Sequence, residues 1–179
     1  EFARIHGPFG HVDSSKFFKT FKHPEWLASA RLNAERSNEV FVRHHEGRYR
    51  EFPDLPIWVL VEILSFGDLS KLFSGMMRND QRPIASRYER QSRHLASWLH
   101  HLVYVRNACA HYSRMWDRIH SIAPLRPAGK LWDKELIPNT HRMYMTLLVM
   151  ASILARMGTV SKSAIQWRIA VETLLDTQV

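Results

Sequence analysis

Between Arg106 and Arg118 the chain sets out a guanidinium, an amide, an imidazole and two further guanidiniums, at Arg106, Asn107, His111, Arg114 and Arg118. These residue types suit anion chemistry. Arginine offers phosphate a planar fork of donors, and histidine can move a proton near neutral pH. Asn107, His111, Arg114 and Arg118 stand at offsets 0, 4, 7 and 11, which is a single stripe if the helix carrying them is unbroken. Arg106 is rotated roughly 100° from Asn107 and lies about 7.5 Å along the axis from His111.

Cleaving RNA without a metal takes a group that removes the 2′-hydroxyl proton, a group that protonates the leaving oxygen, and positive charge on the transition state. Histidine fits the first two tasks and arginine the third. One copy of the motif brings one imidazole, whereas two copies facing each other across a twofold axis bring two, which favours a homodimer. The competing reading gives Arg106 and His111 structural hydrogen bonds inside a helical core.

The element that must position these groups opens as an amphipathic helix near Arg90. Leu95, Trp98, Leu99, Leu102 and Cys109 recur at offsets 0, 3, 4, 7 and 14, which assigns Cys109 to the buried, apolar side as an inert thiol. Upstream, residues 1 to 12 read as loop, Asp13 or Ser14 caps a short helix through Phe21, and His23-Pro24 opens a helix from Glu25 to about Val42. The polar interval from His44 to Pro56 follows. Ile57 to Phe66 reads as a buried helix, stopped by Gly67, and Asp68 caps the next one through Met77. Arg78 to Pro83 is expected as a turn and Ile84 to Tyr88 as a short helix. Beyond the central helix, Pro124, Pro127, Gly129 and Pro138 make Ile119 to Asn139 a connection. Asn139 or Thr140 caps an apolar helix, His141 to Met157, ended by Gly158, and Ser161 caps a last one to about Asp176 with Ile165, Ile169, Val171, Leu174 and Leu175 inside. No strand pattern stands out, so the fold is expected to be all-α.

A length of 179 residues suggests one domain, spanning 1–179, with a sizeable core. The chain opens at Glu1-Phe2 rather than at methionine and is expected to be part of a longer protein. A net charge of +8 predicts attraction to polyanions, nucleic acid first and an anionic membrane surface second, unless the protein is merely basic. The single cysteine excludes a disulfide framework and points to a reducing cytoplasm. Met143 to Ala155, the longest apolar run, is too short to span a bilayer. Eleven histidines raise a metal site, yet the pairs His44-His45 and His100-His101 point to different sides of a helix and no His-Glu-X-X-His occurs. Neither a metal nor another cofactor is expected.

Glu62 stands alone in an apolar helix, so burial would require a cation or a proton. It is read as a support for Arg106 or a neighbouring arginine, or as part of a purely structural ion pair. Arg114 and Arg118 extend the basic stripe toward RNA backbone, or form a solvated face. Arg78, Arg82, Arg87, Arg90 and Arg93 form a second basic run, with Arg90 and Arg93 the candidates for RNA phosphates. Among Trp98, Trp116, Trp132 and Trp167, Trp116 is the candidate for stacking on a base and the others read as packing.

The run Arg-Asn-Ala-Cys-Ala-His-Tyr-Ser-Arg-Met-Trp-Asp-Arg, Arg106 to Arg118, resembles the signature of the bacterial abortive-infection (Abi) proteins of the AbiD/AbiF-like group, within the HEPN superfamily. HEPN nucleases carry an arginine and a histidine separated by four to six residues. The block Leu55 to Leu72 resembles the other marked segment of these proteins, and His6-Gly7-Pro8 with Asp13 and Phe17 resembles a weaker upstream part. The resemblance implies a HEPN-like helical bundle and a homodimer with two Arg-X4-His motifs at its interface. It also implies metal-independent RNA cleavage and a toxin-like defence role checked by an antitoxin. Arg106 would hold the scissile phosphate, His111 would act as acid or base, and Asn107 would orient one of them. Tyr112 directly follows His111, and Ser113 holds the place where some HEPN nucleases have tyrosine, so no role passes to Tyr112. The alternative to an enzyme is a catalytically silent RNA-binding or protein-interaction module.

Overall fold

A computed structural model describes residues 1–115 and 117–156, and within the C-terminal stretch residues 165, 166, 169, 170 and 173. Trp116, Gly158, Ser161, Trp167, Val171, Leu174 and Leu175 lie outside the described residues. Of the last expected helix, Ile165 and Ile169 are helical but exposed rather than inside. Every regular element among the described residues is helical, so the fold is all-α. No described helix is long and apolar enough to cross a membrane.

The chain divides into two compact units, Glu1–Ala85 and Ser86–Val179. The first opens with α1 (Phe2–His6), where a loop was expected. Gly7, at φ 76°, ends it in a conformation that favours glycine. Two 3-10 turns follow, Gly10–Val12 and Ser14–Lys16, and Asp13 caps the second by accepting from the Ser15 amide at 2.9 Å. Next come α2 (His23–Arg36), α3 (Val40–Arg48), α4 (Ile57–Ile63), α5 (Phe66–Gly75) and α6 (Arg78–Ser86).

Several boundaries differ from the sequence pattern: the short helix expected through Phe21 is only the 3-10 turn ending at Lys16, and α3 runs to Arg48, inside the interval expected as a polar connection. The helix expected over Glu25 to Val42 breaks after Arg36, where the Ser37 hydroxyl accepts from the Glu39 amide at 3.2 Å and turns the chain. α4 stops at Ile63, and Ser65 rather than Asp68 caps α5: its hydroxyl accepts from the Asp68 amide at 3.1 Å and donates to the Asp68 carboxylate at 2.6 Å. Gly67 is therefore inside α5 instead of ending a helix. Arg78 to Pro83 is helical, with Pro83 tolerated inside α6.

The core of this unit gathers Phe2, Phe17, Trp26, Leu27, Leu55, Leu60, Leu72 and Phe73. Phe17 and Met76 form an isolated antiparallel bridge, which fastens the loop before α2 to the end of α5. Arg31 donates to both carboxylate oxygens of Asp54 at 2.7 Å, tying α2 to the chain ahead of α4.

The second unit is built on α7 (Ser92–Ala110) and α8 (Met143–Leu154), with a 3-10 turn at Lys130–Trp132 between them. Trp98, Trp132, Ile137, Met145 and Val149 form its buried cluster, with Leu102, Leu148 and Ile153 against it. The connection runs back along α7 rather than away from it. Tyr104 meets Ser121, His101 meets the carbonyl of Ile122 at 2.6 Å, and Trp98 donates to the carbonyl of Leu125 at 2.9 Å. Numbers that rise along the connection fall along α7, so the two segments are antiparallel.

Candidate functional site

α7 buries Leu95, Trp98, His101 and Ala108 and turns Arg106, Asn107, Cys109 and Ala110 to solvent in its last turn. Cys109 is exposed, which corrects its placement on the buried side. The apolar face that begins at Leu95 does not persist to Cys109, although its neighbour Ala108 is buried.

The helix ends at the motif. His111 is the C-cap and still donates its amide to the Asn107 carbonyl at 3.1 Å. Tyr112 then adopts φ 51°, a left-handed conformation unusual for a non-glycine residue. Its amide reaches the Cys109 carbonyl at 3.0 Å, and the Ser113 amide reaches Ala108 at 2.9 Å. This pair of bonds is a Schellman cap. Asn107, His111, Arg114 and Arg118 therefore do not form one helical stripe.

What the fold does bring together is Arg106, Asn107 and His111. All three are exposed at one end of α7, with a guanidinium N–H of Arg106 donating to Asn107 Oδ1 at 3.0 Å. The amide thus restrains the guanidinium while leaving most of its donors open to an anion. Arg114 is exposed beyond the cap. Arg118 is half-buried, its guanidinium 5.9 Å from the Tyr104 ring centroid. The hydroxyl of Ser121 donates to the Tyr104 oxygen at 3.3 Å, and this hydrogen bond, more than the nearby Arg118, lowers the phenol below its usual pKa. Tyr104 carries no sequence signal, since it meets Arg118 and Ser121 only through the reversal of the chain.

The remaining candidates are dispersed. Arg93 is exposed near the start of α7, about 20 Å from Arg106 along the axis. Arg90 is half-buried, its guanidinium 5.1 Å from Trp98 and 5.4 Å from Trp132, and it donates to the Ser152 hydroxyl at 2.8 Å. Burial lowers its pKa first, and the charge of Arg156 lowers it further. That environment is one of packing. Trp116 lies outside the described residues.

Glu62 is exposed, which removes the reason for giving it a buried partner. The pattern misled because α4 is short and one-sided. Ile57 and Leu60 are buried, while Trp58, one turn before Glu62 on the same face, is 55% exposed. Glu62 shares a shallow pocket with Asn33, Arg36 and Asn38. No group of three or more histidine, cysteine, aspartate or glutamate residues among those described could hold a metal ion.

The family model of the Abi-like proteins matches residues 1–117. That span takes in Leu55 to Leu72 and the end of α7 with Arg106, Asn107 and His111. No curated protein and no solved structure matches the chain. With roughly two thirds of its length inside that match, the chain belongs to the Abi-like protein family, a family of abortive-infection proteins.

Proposed function

We infer that the protein is a metal-independent endoribonuclease of the HEPN type, acting as a toxin-like effector of abortive infection in the bacterial cytoplasm. The observation that carries this reading is the joint exposure of Arg106, Asn107 and His111 at the end of α7, inside the residues that match the family. In a catalytic cycle, the 2′-oxygen of RNA attacks the adjacent phosphorus while one imidazole takes its proton. The bond to the 5′-oxygen breaks, and a second imidazole protonates that leaving group. The products are a 2′,3′-cyclic phosphate and a 5′-hydroxyl. Arg106 stabilises the charge on the non-bridging oxygens, and Asn107 holds its guanidinium in place.

Because each chain brings a single His111 to the motif, the full acid–base pair comes from a homodimer with two motifs face to face. An exposed site suits such pairing, since each half stays open until the partner covers it. Arg114, with Arg93 and Arg118, supplies backbone contacts, and the net charge of +8 favours RNA over a neutral ligand. A toxin of this kind is held in check by an antitoxin, either RNA or protein.

The test is incubation of wild type and His111→Ala with end-labelled single-stranded RNA in EDTA, with the product ends mapped. Cleavage by wild type alone, leaving cyclic phosphate ends, is the expected result. Binding of RNA without cleavage by either protein would replace the nuclease with a silent binding module. Cleavage that EDTA abolishes would point to metal chemistry instead.

A further inference from the structure

The first unit holds a cavity of about 460 Å3 between the stretch from Phe18 to Ser29 and α5. Phe18, Phe21 and Trp26 give it an aromatic side, and Lys22 and Lys71 stand on its rim. The lining is held together without any ligand. The Phe18 amide donates to the Gly75 carbonyl at 2.9 Å, and the Trp26 indole N–H donates to the Asp68 carbonyl at 3.1 Å. Phe21 lies directly on the bare backbone of Gly75, where a Cβ would come within 2.6–2.7 Å of its ring.

Charge selects among ligands. Lys22 lies 3.4 Å from Glu25 and Lys71 lies 3.2 Å from Asp68, but the lysine side chains are 77% and 67% exposed. Ion pairs that exposed contribute little, so either ammonium can exchange its partner for a better anion. Arg78 lies outside the lining, with its guanidinium 5.8 Å from the Phe18 ring centroid. Of the two carboxylates in the lining, Asp68 is already held by the Ser65 hydroxyl at 2.6 Å and Glu25 is 70% exposed, so both lysines can turn to an anionic ligand. A ligand with a flat aromatic part and an anionic part fits both features, and the volume lies in the range of small-molecule sites.

We propose that this cavity binds a nucleotide, its base on the Phe18 and Phe21 rings above the buried Trp26 and its phosphate at Lys22 and Lys71. The hydroxyls of Ser29 and Ser74, which also line the cavity, are placed to hydrogen-bond the edge of the base or the ribose. The nucleotide comes either free or as one unit of a single-stranded RNA. The site shares no residue with Arg106, Asn107 and His111, so it stands or falls independently of the nuclease.

Binding is measured on the full chain carrying His111→Ala, which prevents cleavage, by fluorescence anisotropy at physiological salt. The probes are labelled adenosine monophosphate and a labelled short oligoadenylate. Saturable binding of either is expected, weakened about tenfold by Phe18→Ala, the effect of losing one stacking partner. The exposed double reversal Lys22→Glu, Lys71→Glu is expected to weaken it at least as much, while Lys130→Glu, Lys134→Glu leaves it nearly unchanged. Monophosphate binding identifies a free nucleotide as the ligand, and binding of the oligomer alone identifies an RNA-borne one. Absence of saturable binding by both probes would overturn the proposal. So would unchanged affinity in the cavity variants, or equal losses in the two charge reversals.

Discussion

The amide of Ser113 reaches back 2.9 Å to the carbonyl of Ala108, closing the cap that ends α7 directly after His111. Between them Tyr112 takes up the left-handed conformation at φ 51° while the residue is 98% exposed. A tyrosine there costs about 1–2 kcal/mol relative to a residue without a Cβ. Glycine recovers that strain but gives back part of it through greater freedom in the unfolded chain. Tyr112→Gly is expected to raise stability by about 0.5–1 kcal/mol in urea denaturation, and Tyr112→Val to lower it by at least as much. If both variants match wild type, the helix does not end in this cap.

His101 links three segments. Its Nδ1 faces the carbonyl of Ile122, which can only accept, so the ring proton is on Nδ1. Nε2 then accepts from the Thr146 hydroxyl at 2.8 Å, joining α7 to α8. Thr146→Val keeps the shape and removes the donor, leaving a buried acceptor unpaired. Thermal or urea unfolding should show a loss of about 1–3 kcal/mol, larger than for Thr146→Ser, which keeps the hydroxyl.

Acid should destabilise the fold through its buried histidines. His11 is 1% exposed, and burial, reinforced by the charge of His23, lowers its pKa from 6.5 to about 4 despite the opposing pull of Asp54. Burial also lowers His101 and His120. His120 has neither ring nitrogen hydrogen-bonded, stands edge-on to His101 and Tyr104, and feels the positive charge of Arg118. Each of these groups is held neutral in the fold and takes up a proton more readily when unfolded. Their contribution is therefore complete above pH 6.5 and is lost as pH falls below it, for His11 down to about 4. At about 1.4 kcal/mol per pH step, His11 alone accounts for roughly 3 kcal/mol over that window. Unfolding followed at pH 7.5 and at pH 5 should show the loss, reduced in His11→Gln; equal stability at both pH values would contradict it.

Arg90 and Arg93 should part company on mutation. Arg90 spreads its guanidinium over Trp98 and Trp132, so Arg90→Lys keeps the charge but loses the planar contact. A destabilisation of about 1 kcal/mol is expected. Arg93→Ala, at an exposed position, should stay within about 0.5 kcal/mol of wild type. In an RNA-binding titration the ranking should reverse, with Arg93→Ala the weaker binder.

Local spacing was enough to show that this chain is helical and to place α2, α4, α5, α7 and α8, but not α1, α3 or the start of α6. Apolar spacing over Leu95 to Leu102 and the apolar run from Met143 reflect side chains that must be buried whatever the partner, so both helices were legible. The adjacency of Arg106, Asn107 and His111 was legible too, because the helix persists through Ala110 and one more hydrogen bond holds His111 to Asn107. Where that helix stops was set by long-range contacts. No glycine lies between Trp98 and Arg118 to announce the end, and the helical period can be continued on paper to Arg118. The chain turns back instead because Trp98, Ser97 and His101 take their hydrogen-bond partners from Leu125 and Ile122. Buried polar groups that must be satisfied from a distant segment leave no trace in local spacing. The same holds for Glu62 and Cys109: which side of a helix is covered depends on what packs there, and periodicity records a face without recording its cover.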